Sequence, residues 1–264
     1  MLKLTVSTID VFTSGFPITR LSKIFQDVVV TTRNLDFRYL WIDALCIIQD
    51  SPEDWEHESI HMGETYSGAI LSLAATASLD STRGFLPRPT PASDICVQPK
   101  WPDFPGSKAT SYRMHSAYLG NFEVGSSILN SRSWVLQEMH PPPPGGILHF
   151  TAHKIWWSCA EITCNEQFPG GIPTFMGCLQ FSNIKQLLLY SQSKPSLDSD
   201  EAAEMRAEAI NNWLQTSVIY SQIYLTKPID RMIAISGLAK LLHSLIGDGV
   251  SYHSGVWSRF LLER

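Results

Sequence analysis

The chain has 264 residues, 44% of them hydrophobic, which is enough for one large globular domain or for a domain with an appended helical part. Its 20 basic and 25 acidic residues give a net charge of −5 without a long basic run, which argues against nucleic acid as the main partner. No segment reaches the roughly 20 apolar residues of a membrane span, and the five cysteines are scattered, so we expect a cytoplasmic protein that does not bind membranes.

The first predicted element is an amphipathic helix over Ser22–Leu35, where apolar residues recur at helical spacing and charged residues such as Asp27 point outward. It is followed by Arg38–Asp43, a short and almost wholly apolar run. This run is too short for a helix, and Tyr, Trp and Ile favour strands, so it predicts a strand buried on both faces. Asp43 would then lie at the carboxyl end of a strand, where open α/β sheets bind their ligands.

A second helix and a second strand are predicted next. Ser51 suits the N-cap position, Pro52 suits the first helical position, and the two acids that follow complement the positive end of the helix dipole. The helix should end near Tyr66, and the apolar run Ala69–Ala75 predicts another buried strand. Strand, helix and strand in this order form a right-handed βαβ unit with parallel strands, so the fold class indicated is α/β.

The remainder of the chain alternates between loop signals and regular elements. Prolines and glycines mark Pro87–Gly106 as a loop, and the run Pro141–Pro144 should end any helix that carries Glu138. Ile147–Phe150 and Lys154–Ser158 predict a β-hairpin. Apolar residues at helical spacing predict two further helices after residue 200.

Three segments resemble, in the expected order, the signatures of the fungal heterokaryon-incompatibility (HET) domain. Arg38–Asp50 reads R-Y-L-W-I-D-x-L-C-I-I-Q-D, and Ser131–Glu138 is similar to the R-G-W-x-x-Q-E signature. Asp230–Ala239 resembles a D-K-x-x-A-L-S-G-x-A segment that often follows the domain. The resemblance implies a role in non-self recognition and incompatibility-type programmed cell death.

The resemblance also implies a division of the chain. Residues 1–140 would form a partial HET domain with its core at 20–85 and 128–140, and residues 141–264 would form a hairpin and helical extension packed on it. The block resembling L-S-Y-x-W-G that usually opens the family is not found, so we expect the chain to begin inside the domain. A missing central strand would leave backbone groups unpaired and apolar faces exposed.

HET domains are similar to TIR domains, parallel-sheet proteins in which an S-x-W-C-x-x-E motif supplies a glutamate for NAD cleavage. Ser133, Trp134 and Glu138 resemble that motif, with Val135 in place of its cysteine. The resemblance implies a TIR-like parallel sheet flanked by helices. It also implies that Glu138 stabilises a cationic transition state at the nicotinamide ribose, with Trp134 against the ring system and Asp43 near the ribose.

Two mechanisms are therefore open. In the first, the protein is a signalling module that self-associates or binds a protein partner, and it needs no cofactor and catalyses no reaction. In the second, it is a NAD glycohydrolase whose substrate is NAD and whose catalytic residue is Glu138. The ligand-binding residues of that second mechanism would be Asp43, Asp50, Arg132 and Trp134.

Each of these residues also has a purely structural interpretation. Asp43 and Asp50 could be capping or turn-forming aspartates, as acids at the ends of strands and before helices often are. Trp134 could be a core residue, and Glu138 could simply form an ion pair with Arg132.

Two groups of metal-ligating residue types occur, and for each we prefer a structural interpretation. His57 and His61 are four residues apart but lack a third ligand, so they are expected on a solvated helix face. Cys159 and Cys164 lie near two histidines but lack a second cysteine pair, so buried free thiols are expected. No metal site is predicted, and the chain contains neither a phosphate-binding glycine loop nor a G-x-S-x-G elbow.

Overall fold

The structure is a computed structural model. It describes residues 2–86, 95–97, 112–114, 124–125, 127, 129–139, 143–159, 161–172, 187, 190–191, 198–223, 225, 230–247, 250–253 and 255–258. Most of the predicted loop Pro87–Gly106 lies outside these residues. Within them, no helix is long and apolar enough to cross a bilayer.

Four α-helices precede the first strand, and their bounds are α1 (Ile9–Ser14), α2 (Lys23–Asn34), α3 (Asp43–Cys46) and α4 (Pro52–Gly68). The helices predicted at Ser22–Leu35 and after Ser51 are confirmed as α2 and α4. The start of α4 follows the predicted capping chemistry, because the Ser51 hydroxyl accepts the backbone N–H of Asp54 at 3.2 Å.

α2 is turned differently from the prediction. Asp27 is only 2% exposed, whereas Val30 is 41% exposed, so the prediction that Asp27 points outward is wrong. The Asp27 carboxylate accepts the backbone N–H groups of Phe85 at 2.8 Å and Leu86 at 2.9 Å, and it pairs with Lys23. These three partners offset the free-energy cost of burying the charge. Two of them belong to a segment distant in the sequence, so the helical periodicity of α2 could not predict them.

The predicted strand at Arg38–Asp43 is also wrong. Ile42 has extended backbone angles, but residues 38–42 belong to no strand, and Asp43 begins α3. Tyr39 is 86% exposed and Leu40 is 36% exposed, so the run is not buried on both faces. The backbone groups of residues 38–41 have no hydrogen-bond partner among the described residues. The run has the composition of a strand, but a strand also requires a neighbour to pair with.

The central sheet has four strands in the order β1, β4, β5, β6, where β1 is Ser72–Ala74, β4 is Ile147–Phe150, β5 is Ile155–Ser158 and β6 is Thr163–Asn165. β1 and β4 are parallel, and the other two pairs are antiparallel. The predicted hairpin is confirmed as β4 and β5. The predicted βαβ unit is wrong, because the parallel partner of β1 comes from the hairpin. The α/β class is confirmed, with a mixed sheet that contains one parallel pair.

Two smaller antiparallel pairs lie outside this sheet. One consists of β2 (Ile95–Val97) and β3 (Tyr112–Met114), and the other of β7 (Tyr252–His253) and β8 (Val256–Trp257). The short β7–β8 hairpin packs on the C-terminal helices, where Trp257 is completely buried.

Three helices complete the described fold: α5 (Ser133–Met139), α6 (Ser199–Gln222) and α7 (Arg231–Ile246). The two C-terminal helices are confirmed as α6 and α7, and α5 ends before the proline run, as predicted. α6, α7 and the β7–β8 hairpin enclose an apolar core around Trp213 and Leu238. α5 packs against both α4 and α7, so its position depends on both halves of the chain.

Candidate functional site

Four ionisable side chains from three elements interact electrostatically in one region. Asp43 begins α3, and Tyr66 lies near the end of α4. Arg132 directly precedes α5, and Glu138 lies in its last turn. Asp43 and Arg132 both influence the pKa of Glu138, and all three influence the pKa of Tyr66. Their mutual influence defines the carboxylate cluster, which consists of Asp43, Tyr66, Arg132 and Glu138.

Two aromatic contacts hold the elements of the carboxylate cluster together. Trp134 of α5 meets Trp55 of α4 edge to face, with 6.3 Å between ring centroids. Trp41, two residues before α3, meets Tyr66 in the same geometry at 5.4 Å. Edge-to-face pairs of this kind stabilise packing beyond the area they bury, so the helix that carries Glu138 is fixed against the helix that carries Tyr66.

Burial raises the pKa of Glu138 from 4.5 to about 7. The Arg132 guanidinium lowers this pKa, but the Asp43 carboxylate raises it, and the outcome favours the neutral acid. Near neutral pH the carboxyl therefore exists in both protonation states. A partly buried carboxyl in this condition can give or accept a proton, which is the behaviour expected of functional acids and bases.

Burial also raises the pKa of Tyr66 far above its usual value of 10.0, and the carboxylates of Glu138 and Asp43 raise it further. Arg132 opposes this effect without reversing it. The phenol therefore keeps its proton at physiological pH and can donate a hydrogen bond to an acceptor in the cluster.

Asp43 occupies a position other than the predicted strand end. Its Oδ1 accepts the backbone N–H of the next residue, Ala44, at 2.7 Å in the first turn of α3, whose N-cap residue is Ile42. The structure nevertheless brings Asp43 and Glu138 into electrostatic interaction, although they are far apart in the sequence. The same carboxylate thus has a structural contact and an interaction with the second carboxylate.

Residues 4–138 match the family model "Heterokaryon incompatibility protein (HET)", which covers slightly more than half of the chain. The chain belongs to the HET family. No curated protein and no solved structure matches it. Membership supports an incompatibility-related role of the kind found in fungi, and the matched segment ends on Glu138 of the carboxylate cluster.

Two of the residues predicted to bind a ligand in the HET domain have structural contacts. Asp50 accepts the backbone N–H of Val6 through Oδ1 at 2.9 Å, and it influences neither Glu138 nor Tyr66. Trp134 is partly buried and packs against the core formed by α6 and α7. Arg132 is exposed, and its guanidinium interacts with both Glu138 and Tyr66.

Sequence motifs of the HET domain did not single out Tyr66. One signal in the sequence could have found it, since Met62 precedes it by four residues and therefore lies on the same face of α4. Met62 is buried, which turns this face and the Tyr66 phenol inward. Cys46 at the end of α3 also influences Tyr66, and burial raises the pKa of its thiol.

The metal-ligating residue types are dispersed. His57 and His61 are exposed on α4 with 4.9 Å between ring centroids, and His57 faces Glu58. Cys159 and Cys164 are free thiols of intermediate exposure. Among the described residues, no group of three or more His, Cys, Asp or Glu could hold a metal ion.

Proposed function

We propose that this HET protein acts in the cytoplasm in non-self recognition and programmed cell death signalling, as a module that self-associates through residues 38–42. Family membership supports the biological role. Three observations support the mode of action: residues 38–40 are exposed, Ile42 has extended backbone angles, and the backbone groups at 38–41 have no partner among the described residues. Exposed segments with free N–H and C=O groups are templates for strand addition.

A second copy of the chain suits this segment as its partner. An antiparallel pair centred on Leu40 places Tyr39 of each copy opposite Trp41 of the other. Cross-strand aromatic pairs of this kind stabilise sheets. The contact is isologous, so it closes as a symmetric dimer and does not propagate into a fibre.

Sedimentation velocity over micromolar to submillimolar protein concentrations tests this proposal. Wild-type protein should show a concentration-dependent dimer. Leu40→Lys should remain monomeric, because the dimer would remove an unpaired lysine charge from water at the centre of the strand pair, which costs free energy. Val218→Lys is the matched control, since Val218 is a 60% exposed apolar residue on α6. A monomeric wild type, or a dimer that survives Leu40→Lys, would show that the segment does not mediate association.

A second function, cleavage of NAD, is favoured by the carboxylate cluster. A carboxylate beside the ribose would stabilise the oxocarbenium-like transition state as the bond from C1′ to the nicotinamide nitrogen breaks. Nicotinamide leaves with the bonding electron pair, water adds to C1′, and one proton is released. Arg132 would bind a phosphate, and Asp43 would accept a ribose hydroxyl.

Release of nicotinamide from NAD by the purified protein tests the second function. We expect Glu138→Gln to abolish release and Glu64→Gln, which changes an exposed carboxylate on α4, to leave it intact. The assay should be run at concentrations above the association midpoint, so that a need for dimerisation does not mask activity. Release that persists in Glu138→Gln, or no release by the wild type, would exclude this mechanism.

A further inference from the structure

Two histidine rings lie side by side on the exposed face of α4. His57 and His61 are four residues apart, so they lie on the same face of the helix. Their ring centroids are 4.9 Å apart, with an angle of 39° between the rings. The His57 side chain is 70% exposed and His61 is also exposed, so an ion from solvent can reach both rings. Neither proposed function uses this pair.

The hydrogen bonds of the two rings determine which nitrogen carries a proton. His61 Nδ1 lies 2.8 Å from the backbone carbonyl oxygen of His57, and a carbonyl oxygen can only accept, so Nδ1 donates. His57 Nδ1 lies 3.1 Å from Glu58 Oε1, and an ionised carboxylate also only accepts. In each neutral ring the second nitrogen, Nε2, therefore carries a lone pair. Among the described residues, no hydrogen bond occupies either Nε2.

Metal-binding histidines in proteins show the same pattern of hydrogen bonds. A histidine that binds a metal through one nitrogen almost always donates its other N–H to a carboxylate or a backbone carbonyl, which fixes the orientation of the ring. His57 has the carboxylate of Glu58 as its acceptor, and His61 has a carbonyl. Both rings are therefore oriented before an ion binds, which reduces the conformational entropy lost on binding.

The distance between the rings fits a single metal ion. With Zn–N bonds of about 2.0–2.1 Å and an angle of about 90–110° at the ion, two imidazoles have ring centroids about 4.5–5.2 Å apart. The distance of 4.9 Å between His57 and His61 lies within this range. The segment 57–61 reads H-E-S-I-H, which has the histidine spacing of a zinc-binding helix motif. In that motif the glutamate is a general base, whereas Glu58 here orients His57.

The charge of α4 favours a cation. The helix contains neither lysine nor arginine, and its acidic residues are Glu53, Asp54, Glu56, Glu58 and Glu64. Glu53 precedes His57 by four residues and Glu64 follows His61 by three, so both carboxylates lie on the face that carries the histidines. A surface with this excess of negative charge raises the local concentration of positive ions.

We propose that His57 and His61 bind one divalent transition-metal ion through their Nε2 atoms, with Glu58 as a positioning residue for His57. Imidazole nitrogens suit Zn²⁺, Cu²⁺ and Ni²⁺, whereas Mg²⁺ and Ca²⁺ prefer oxygen ligands. Two histidines are fewer ligands than a structural zinc site requires. Water therefore completes the coordination, and the bound ion exchanges with solvent.

Titration of the full chain with Zn²⁺, followed by long-range ¹H–¹⁵N NMR of the histidine rings, tests the proposal. Zn²⁺ should shift the Nε2 signals of His57 and His61 together, while both Nδ1 atoms keep their protons. These signals report only on the two rings, so zinc bound to the free thiols does not obscure them. His61→Gln should weaken zinc binding at His57 roughly 100-fold, because one imidazole lacks the advantage of two linked ligands. His253→Gln, which removes an exposed histidine from the β7–β8 hairpin, is the matched control and should leave binding unchanged.

A second pair of variants tests the role of Glu58. Glu58→Ala removes the acceptor that orients His57 and should weaken zinc binding about tenfold. Glu56→Ala removes a neighbouring exposed carboxylate and should have little effect, so equal losses in the two variants would overturn the positioning role. The metal site itself is overturned if Zn²⁺ shifts neither Nε2 signal, or if His61→Gln binds zinc at His57 as tightly as the wild type. These measurements depend neither on dimerisation nor on NAD cleavage, so their result is independent of both proposed functions.

Discussion

Replacement of Glu138 by glutamine should stabilise the protein at alkaline pH and leave its stability in acid unchanged. The pKa of this carboxyl rises from 4.5 to about 7 on folding, chiefly through burial. Below pH 4.5 the carboxyl is protonated in both the folded and the unfolded chain, so it contributes no pH-dependent difference. Above pH 7 it is ionised in both states, and the folded protein must hold a charge that its site disfavours.

The magnitude follows from the two pKa values. Each tenfold change in a protonation equilibrium corresponds to about 1.4 kcal/mol, so the destabilisation approaches about 3 kcal/mol once the pH exceeds the folded-state value. Glutamine carries no charge at any pH, although it also loses the attraction of Arg132. We therefore expect the free energy of unfolding to rise by roughly 1–3 kcal/mol at about pH 8.

Urea denaturation of the wild type and of Glu138→Gln at about pH 4 and about pH 8 measures this difference. Glu64→Gln is the control, because it removes the same negative charge from an exposed position. Its free energy of unfolding should differ little from that of the wild type at either pH. Equal unfolding free energies for wild type and Glu138→Gln at the higher pH would refute the reasoning. So would a gain of the same size at both pH values, because that gain would arise from packing.

The remaining predictions concern the carboxylate cluster and two helices. Asp43→Asn should lower the pKa of Glu138 and Arg132→Met should raise it, as read by ¹³C NMR titration of the Glu138 carboxyl; shifts in the same direction would contradict the assigned interactions. Asp27→Ala leaves one buried and one partly buried N–H group after β1 without their acceptor and should cost roughly 2–4 kcal/mol in urea denaturation; a loss below that range would show that water replaces the carboxylate. Ser51→Ala should cost about 1 kcal/mol in the same assay, and no loss would show that the cap is not needed.

Much of the fold could be predicted from local sequence signals. α4 begins where Ser51 and Pro52 predict it, and the two predicted apolar runs form the strands of the β4–β5 hairpin. The segment Arg38–Asp43 was mispredicted because strand formation depends on a neighbour that local composition does not reveal. The predicted orientation of α2 was wrong for a related reason. Asp27 points inward because it accepts backbone N–H groups from a segment that follows β1 in the chain.

The candidate site was predictable only in part. The motif around α5 led to Glu138 and Arg132, and the resemblance linked them to Asp43, which the structure brings into the same cluster. Tyr66 was missed because a lone tyrosine near a helix end matches no motif. The raised pKa of Glu138 could not be predicted either, because it arises from burial between elements that meet only in the folded protein.

The parallel pairing of β1 with β4 also has a consequence for synthesis of the chain. Ala74 pairs with His149, so about 75 residues must be added before β1 meets its partner. At roughly 5–20 residues per second, this takes roughly 4–15 s on the ribosome. During that interval, β1 and the apolar segment at 38–42 are both accessible to neighbouring nascent chains. The yield of folded protein should therefore depend on translation speed and on chaperones that bind the emerging chain.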